Sequence, residues 1–350
     1  MASAPGLPRG VVSGLGAAVL FGLSTPLAKL LLPSSGTFML AGLLYLGAGI
    51  GLTVIAPLRR AGREAPLRGT DLPTLAAMVV SGGIAGPLLL LTGLARLPGG
   101  AASLLLNLEA PFTIGIAVLF FGESLVRREV LGAAAVILGG VILASSPGEG
   151  GVHVVGALAV AGAGLAWAID NNLSQRLSLR DPVAVTRVKT LVAGTVNVGV
   201  ALAMGDRLPS AAPLAGALAT GFLGYGVSIV LHLMALRQIG TARQAAYLAT
   251  APFVGALAAI PILGESLTWK GAAAGIVMGV GVAILVRARH GHRHTHDAVE
   301  HDHAHVHDEH HNHHDHGEVL ATEPHSHLHQ HVRLAHDHAH QPDPHHRHRH

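Results

Sequence analysis

Apolar residues fill residues 10–287 in long runs, broken by short polar stretches rich in arginine, glycine and proline. Each run approaches the roughly 20 residues that cross a bilayer core. A soluble chain of this length would interrupt such runs with periodic charged faces, and this one does not. The pattern predicts ten membrane helices, near 11–32, 37–57, 73–94, 100–121, 129–146, 153–175, 182–204, 213–236, 242–263 and 269–287. Glycine and proline recur inside them, as membrane helices tolerate when neighbours satisfy the freed backbone groups. The first run is too long for a signal-peptide core and carries Pro26 and Lys29 near its far end, so it reads as the first membrane helix rather than a cleaved leader.

Charge orients the bundle. Alternate loops carry Arg59, Arg60, Arg63, Arg68, Arg127, Arg128, Arg176, Arg180, Arg237, Arg243, Arg287 and Arg289, and the opposite loops only Arg96, Arg207 and Lys270. That asymmetry puts both termini in the cytoplasm. Half the residues are hydrophobic and 12% are charged, and the last sixty or so are almost wholly polar, so the membrane part is more apolar than the average. There is no cysteine, which excludes disulfides and thiolate metal sites.

The chain also repeats itself. "FFGESLVRREVLGAAAVILGG" (120–140) matches "ILGESLTWKGAAAGIVMG" (262–279) with three residues deleted after G-E-S-L. A-P-F at 110–112 matches A-P-F at 251–253, and "FGLSTPLAK" from Phe21 lies over "WAIDNNLSQ" from Trp167. Each half therefore holds five helices, at 10–146 and 152–287, with a tail at 290–350. Five is odd, so the second copy enters the membrane the other way up. Inverted repeats with a site near the midplane are the architecture of many secondary transporters.

These two halves, each ending in A-P-F, G-E-S-L, G-A-A-A and a glycine-rich helix, resemble EamA-type members of the drug/metabolite transporter superfamily. The resemblance covers about residues 10–287. It implies a ten-helix carrier that alternates access without ATP, in a bacterial inner membrane. It says little about substrate, since the superfamily moves amino acids, sugars, nucleotide sugars and drugs. No Walker-type glycine loop occurs.

Ionisable groups inside a membrane are costly, about 2.5–3.5 kcal/mol for Arg, Lys or Asp on insertion scales, and are functional candidates by default. Glu109 stands some eight residues from one end of the fourth helix, about 13 Å deep at 1.5 Å per residue. Asn107 is nearby, and Pro111 frees a carbonyl in the preceding turn. The second copy keeps the proline, Pro252, but has Thr250 in place of the glutamate. A kinked helix with a carboxylate and a bare carbonyl suits a cation or amine; a structural ion pair or hydrogen bond to a neighbouring helix is the alternative. In the sixth helix Asp170, Asn171 and Asn172 are consecutive and point about 100° apart, so at least one faces the bundle interior. Arg187 and Lys189 lie at a similar depth in the seventh helix, and Lys189 is the expected partner of Asp170. Lys29 is expected to snorkel. His232 stands within the eighth helix, where it could bind substrate, relay protons or bond a backbone carbonyl, with Gln244 and Tyr247 placed to face it.

From His290 the composition changes. The tail holds 24 of the 26 histidines, and its ten acids against four arginines give it −6, leaving +9 for residues 1–289. It is expected to be disordered. In "HDHAHVHDEHHNHHDH" histidine alternates with small or acidic residues, so His301, His303, His305, His307, His310, His311, His313, His314 and His316 form a candidate metal tract. Neutral imidazole suits Zn, Ni, Co and Cu. The tract resembles the histidine-rich cytosolic loops of zinc transporters and the tails of nickel chaperones; the alternative is a solvated low-complexity tail.

Three functions compete: a secondary-active carrier, on balance an exporter, of a small organic solute with a metal-responsive tail; a Ni, Co or Zn efflux transporter whose tail collects cargo; and a membrane-anchored metal buffer. Against the second, no H-x-x-x-D pair falls in the predicted helices; against the third, a buffer needs no duplicated bundle. No catalytic constellation is legible, no cofactor is required and no nucleic-acid partner is indicated. The expected partners are the bilayer, a small molecule and, at the tail, divalent metal; a homodimer is left open.

Overall fold

The computed structural model describes residues 9–58, 65–121, 126–145, 152–177 and 180–287, and four tail segments at 290–296, 299–305, 325–331 and 334–340. The first repeat comprises α1 (Arg9–Leu31), α2 (Thr37–Ile55), α3 (Leu72–Met78), α4 (Gly86–Leu94), α5 (Gly99–Leu105), α6 (Glu109–Phe121) and α7 (Arg127–Ala144). The second comprises α8 (Val152–Leu177), α9 (Pro182–Ala203), α10 (Ala211–Gly221), α11 (Ser228–Leu248), α12 (Ala251–Leu263) and α13 (Trp269–Arg287). A π-helical turn, Val79–Ala85, joins α3 to α4, and another, Phe222–Val227, joins α10 to α11.

Among the described residues, nine stretches are long and apolar enough to cross a membrane, not ten. The expected fifth span is α7, eighteen residues whose first turn carries Arg127, Arg128 and Glu129. Those three charges leave it too little uninterrupted apolar length to count.

The helices stop for local reasons. Gly264 ends α12 with φ of 67°, a left-handed conformation that only glycine adopts without strain. Asp181 caps α9, its Oδ1 accepting from Val183 N at 3.0 Å, with Pro182 in the first turn where its missing N–H costs nothing. Between α11 and α12 the break falls at 249–250, just before Pro252.

The segment expected to turn at 237–241 is helical throughout. It nevertheless reverses. His232 and Gln244, twelve residues apart, would be separated by about 18 Å along a straight helix, yet their side-chain nitrogens are 2.8 Å apart. The matching turn of the first repeat, at 95–98, is broken by Pro98, Gly99 and Gly100, whereas residues 237–243 contain no proline and one glycine.

The repeats interlock. α1 packs on α11 and α12, α2 on α9 and α10, α4 on α8, and α7 on α13, so each of these contacts joins one repeat to the other. Small residues allow the close approach, as between membrane helices generally: Gly42 and Gly194 sit at the α2–α9 crossing, Gly132 and Gly281 at α7–α13. Phe21 and Trp167, which occupy matching positions in the two repeats, meet edge-to-face at 5.8 Å, and Tyr225 meets Phe21 edge-to-face at 6.0 Å and Tyr45 at a tilt at 5.4 Å. Around them lies a core of buried Leu40, Leu44, Leu90, Leu91 and Leu94. Large apolar side chains such as Val54, Leu119, Phe120, Leu158 and Ile276 face outward, a rim suited to lipid.

In the tail, the described segments are four short strands. β1 (His290–His296) pairs antiparallel with β4 (Leu334–His340), and β2 (Val299–His305) with β3 (His325–His331). Histidine alternating with other residues has the period of a strand.

Candidate functional site

The fourth span is not a continuous α-helix. A 3₁₀ turn at Leu106–Leu108 separates α5 from α6, so that Glu109 begins the second segment and Pro111 follows in its first turn. Proline removes a backbone donor and clashes with the turn before it, and a 3₁₀ stretch inside a span often marks a hinge. Glu109, half-buried, reaches across to α8, its Oε1 accepting from Asn171 Nδ2 at 2.5 Å. Asn107 is spent locally, its Nδ2 donating to Leu104 O at 3.0 Å. At the matching break in the second repeat, Thr250 donates to Tyr247 O at 2.6 Å and Pro252 opens α12. The two breaks are alike, but only the first carries a carboxylate.

The three polar residues of α8 diverge as helix geometry requires. Asp170 turns to α9, where Lys189 Nζ donates to its Oδ2 at 2.5 Å; both residues are 6% exposed. Asp170 Oδ1 has no partner among the described residues. Asn171 faces Glu109. Asn172 folds back to donate to Ala168 O at 2.8 Å. Lys189, not Arg187, holds Asp170. Asp170 and Asn171 thus bring a lysine and a glutamate from two other helices to adjacent positions on α8.

Beside this group lies the first π-helical turn, which the sequence reading missed. Its wider turn leaves carbonyls free to face sideways: Gly82 O accepts from Tyr45 OH at 2.5 Å and Trp167 Nε1 at 3.1 Å, and Gly83 O from Asn197 Nδ2 at 3.2 Å. A side chain on Gly82 would collide with Asp170. The second π-helical turn repeats the arrangement, with Gly224 against Ser24, the residue that matches Asp170. The available signal was the paired glycines, Gly82–Gly83 and Gly224 with Gly226, at corresponding places in the two repeats. π-helical turns of this kind are frequent at functional sites.

His232 Nδ1 is bonded to Gln244 Nε2 at 2.8 Å, and Gln244 is fully buried with no partner for its Oε1 among the described residues. Tyr247 lies with Gln244 against Gly14 of α1. This cluster is separate from the Glu109–Asn171 pair.

Lys29, partly buried near the end of α1, caps a helix end. Its Nζ donates to Leu94 O at 3.2 Å and also to Leu97 O, the carbonyl end of α4 and the turn after it. Glu265, of the second G-E-S-L and not singled out from sequence, accepts from Gly99 N at 2.6 Å and Gly100 N at 2.9 Å. Its counterpart Glu123 lies outside the described residues. At the opposite end of the bundle Asp71 pairs with Arg180 at 2.9 Å.

Of the tail residues, His301, His303 and His305 fall on β2, while His307, His310, His311, His313, His314 and His316 lie outside the described residues.

With this geometry in view, the chain matches the EamA-like transporter family twice, at residues 8–145 and 154–287. It is 33% identical over 290 residues to an uncharacterised transporter of Methanothermobacter thermautotrophicus, covering 77% of this chain and 83% of that one. It is 27% identical over 241 residues to the uncharacterised inner membrane transporter YedA of Escherichia coli K12, covering 66% and 75%. A relative in Streptantibioticus cattleyicolor named "Probable terminal-alkyne amino-acid exporter" is 27% identical over 215 residues, covering 60% and 72%. A duplicated helical bundle whose two halves each match the same family model is a multi-pass membrane transporter rather than an enzyme, and the chain belongs to the EamA-like transporter family.

Proposed function

We propose that the protein is a secondary-active exporter of a small amine-bearing metabolite, of the amino-acid class, working by alternating access. The carrying observation is Glu109, a carboxylate within a span, held by Asn171 through one oxygen. No second partner holds its Oε2 among the described residues, which leaves that oxygen for the ammonium of a substrate or for the coupling proton. A carboxylate in a membrane interior needs such a partner to offset its cost. The name of the Streptantibioticus relative agrees with an amino-acid substrate. The breaks at Leu106–Leu108 and at 249–250 support this reading, as one candidate hinge in each repeat. In this reading α7 is the tenth crossing, because it packs along α13, its counterpart in the other repeat. Both termini then lie in the cytoplasm, as the arginine asymmetry requires. The tail binds divalent metal through its histidines and adjusts transport as its charge changes.

Glu109→Gln tests the site. Gln keeps an oxygen for Asn171 and removes the charge, so the protein should insert and melt as the wild type does while proton-driven export from vesicles falls at least tenfold. Export at the wild-type rate returns Glu109 to a structural role.

A further inference from the structure

The second G-E-S-L holds the ends of four helices together. The turn between α4 and α5 has one charge on each side. Lys29, from α1, donates to Leu94 O and Leu97 O where α4 ends, and Glu265, from the turn after α12, accepts from Gly99 N and Gly100 N where α5 begins. Free carbonyls at a helix C-terminus and free amides at an N-terminus seek cations and anions respectively, and each receives it from a different helix. The left-handed Gly264 turns the chain so that the very next residue reaches across to α5. Glu265 and Lys29 are both only partly buried, so the contact sits at the rim of the bundle rather than in its core. Beneath it α1, α5 and α12 close on one another: Gly22 lies against Ala251, and Gly255 against Ser103, which is 1% exposed.

We propose that Glu265 and Lys29 form the latch that closes the Pro98 end of the carrier, and that the transport cycle requires Glu265 to release Gly99 and Gly100. Glu265 is a positioning residue: it lies at the rim, apart from Glu109, and acts by holding α12 to α5. A merely structural cap would be held throughout the cycle. A latch must be strong enough to close and exposed enough to let water in, and two charge-assisted bonds at a half-buried rim meet both needs. The inference rests on the alternating-access reading, and the experiment separates the two.

The chain contains no cysteine, so a single introduced thiol reports without background. Ser103→Cys places that thiol one helical turn below the latch. In whole cells an impermeant maleimide should modify it slowly, and about tenfold faster once Glu265→Ala removes two charge-assisted bonds. Glu265→Gln, whose amide oxygen can still accept one of them, should fall between and keeps the test readable if the alanine variant fails to fold. Faster labelling only in inside-out vesicles would uphold the latch and overturn the proposed orientation. Equal labelling with and without Glu265, in protein whose melting temperature shows it folded, would overturn the latch.

Discussion

Replacing Lys189 by Met strands a buried carboxylate. Asp170 and Lys189 are each 6% exposed, their charged atoms are 2.5 Å apart, and Asp170 Oδ1 has no other partner to fall back on among the described residues. Removing one member of a buried ion pair costs about 3–5 kcal/mol in soluble proteins. Neutral hydrogen bonds between membrane helices are worth much less, about 0.6 kcal/mol on average. The difference between those figures is the test. Lys189→Met and Asp170→Asn should each destabilise strongly, because each leaves a lone charge among Gly82, Tyr45 and Trp167. The double variant loses the pair but buries no charge, and should cost about 1 kcal/mol. At about 2–4 °C per kcal/mol, each single variant should melt about 6–20 °C lower, with the double variant close to wild type. Thermal unfolding in detergent, followed by the fluorescence of the two tryptophans, reads this order directly. Single variants that melt with the wild type, or a double variant worse than either, would refute the argument that charge holds α8 to α9.

Gly221→Ala should abolish folded yield in size-exclusion chromatography, because its Cβ would run into the Leu44 backbone carbonyl, which cannot rotate away. Gly199→Ala meets nothing within 4 Å and should be neutral or up to about 1 kcal/mol better in a melting assay, through helix propensity alone. Truncation after Arg289 removes 24 histidines and should eliminate Zn and Ni binding in equilibrium dialysis while leaving the bundle's melting temperature unchanged. Transport that responds to metal equally well without the tail would end its regulatory role.

The duplication was legible because G-E-S-L and A-P-F are local strings that survive both inversion and divergence. Proline at 111 and 252 likewise announced a break in each copy, although not that the first would be a 3₁₀ turn. What escaped the sequence were contacts that depend on how helices cross. Glu265 looks like an exposed loop acid until α5 is laid beside it, and the carbonyls that Lys29 caps come into view only when α4 is seen to end within its reach. Asp170 and Lys189 were paired from depth alone, whereas Asn171 and Glu109 were each suspected without being joined, since helix phase was not traced across the bundle. The π-helical turns are harder still. One extra residue in a turn changes no composition, and only the paired glycines at matching positions mark it.

The cross-repeat packing bears on how the chain is made. α1 and α2 are synthesised first, yet their principal neighbours α9, α10, α11 and α12 follow after residue 181. Ser24 and Thr25, each 2% exposed or less in the finished bundle, must wait in the lipid or at the insertion machinery until the second half arrives. The first repeat expressed alone should therefore be inserted but not packed, and prone to degradation. Halves supplied as two separate polypeptides should rescue each other, since α1, α2, α4 and α7 all find their main packing partners in the second repeat.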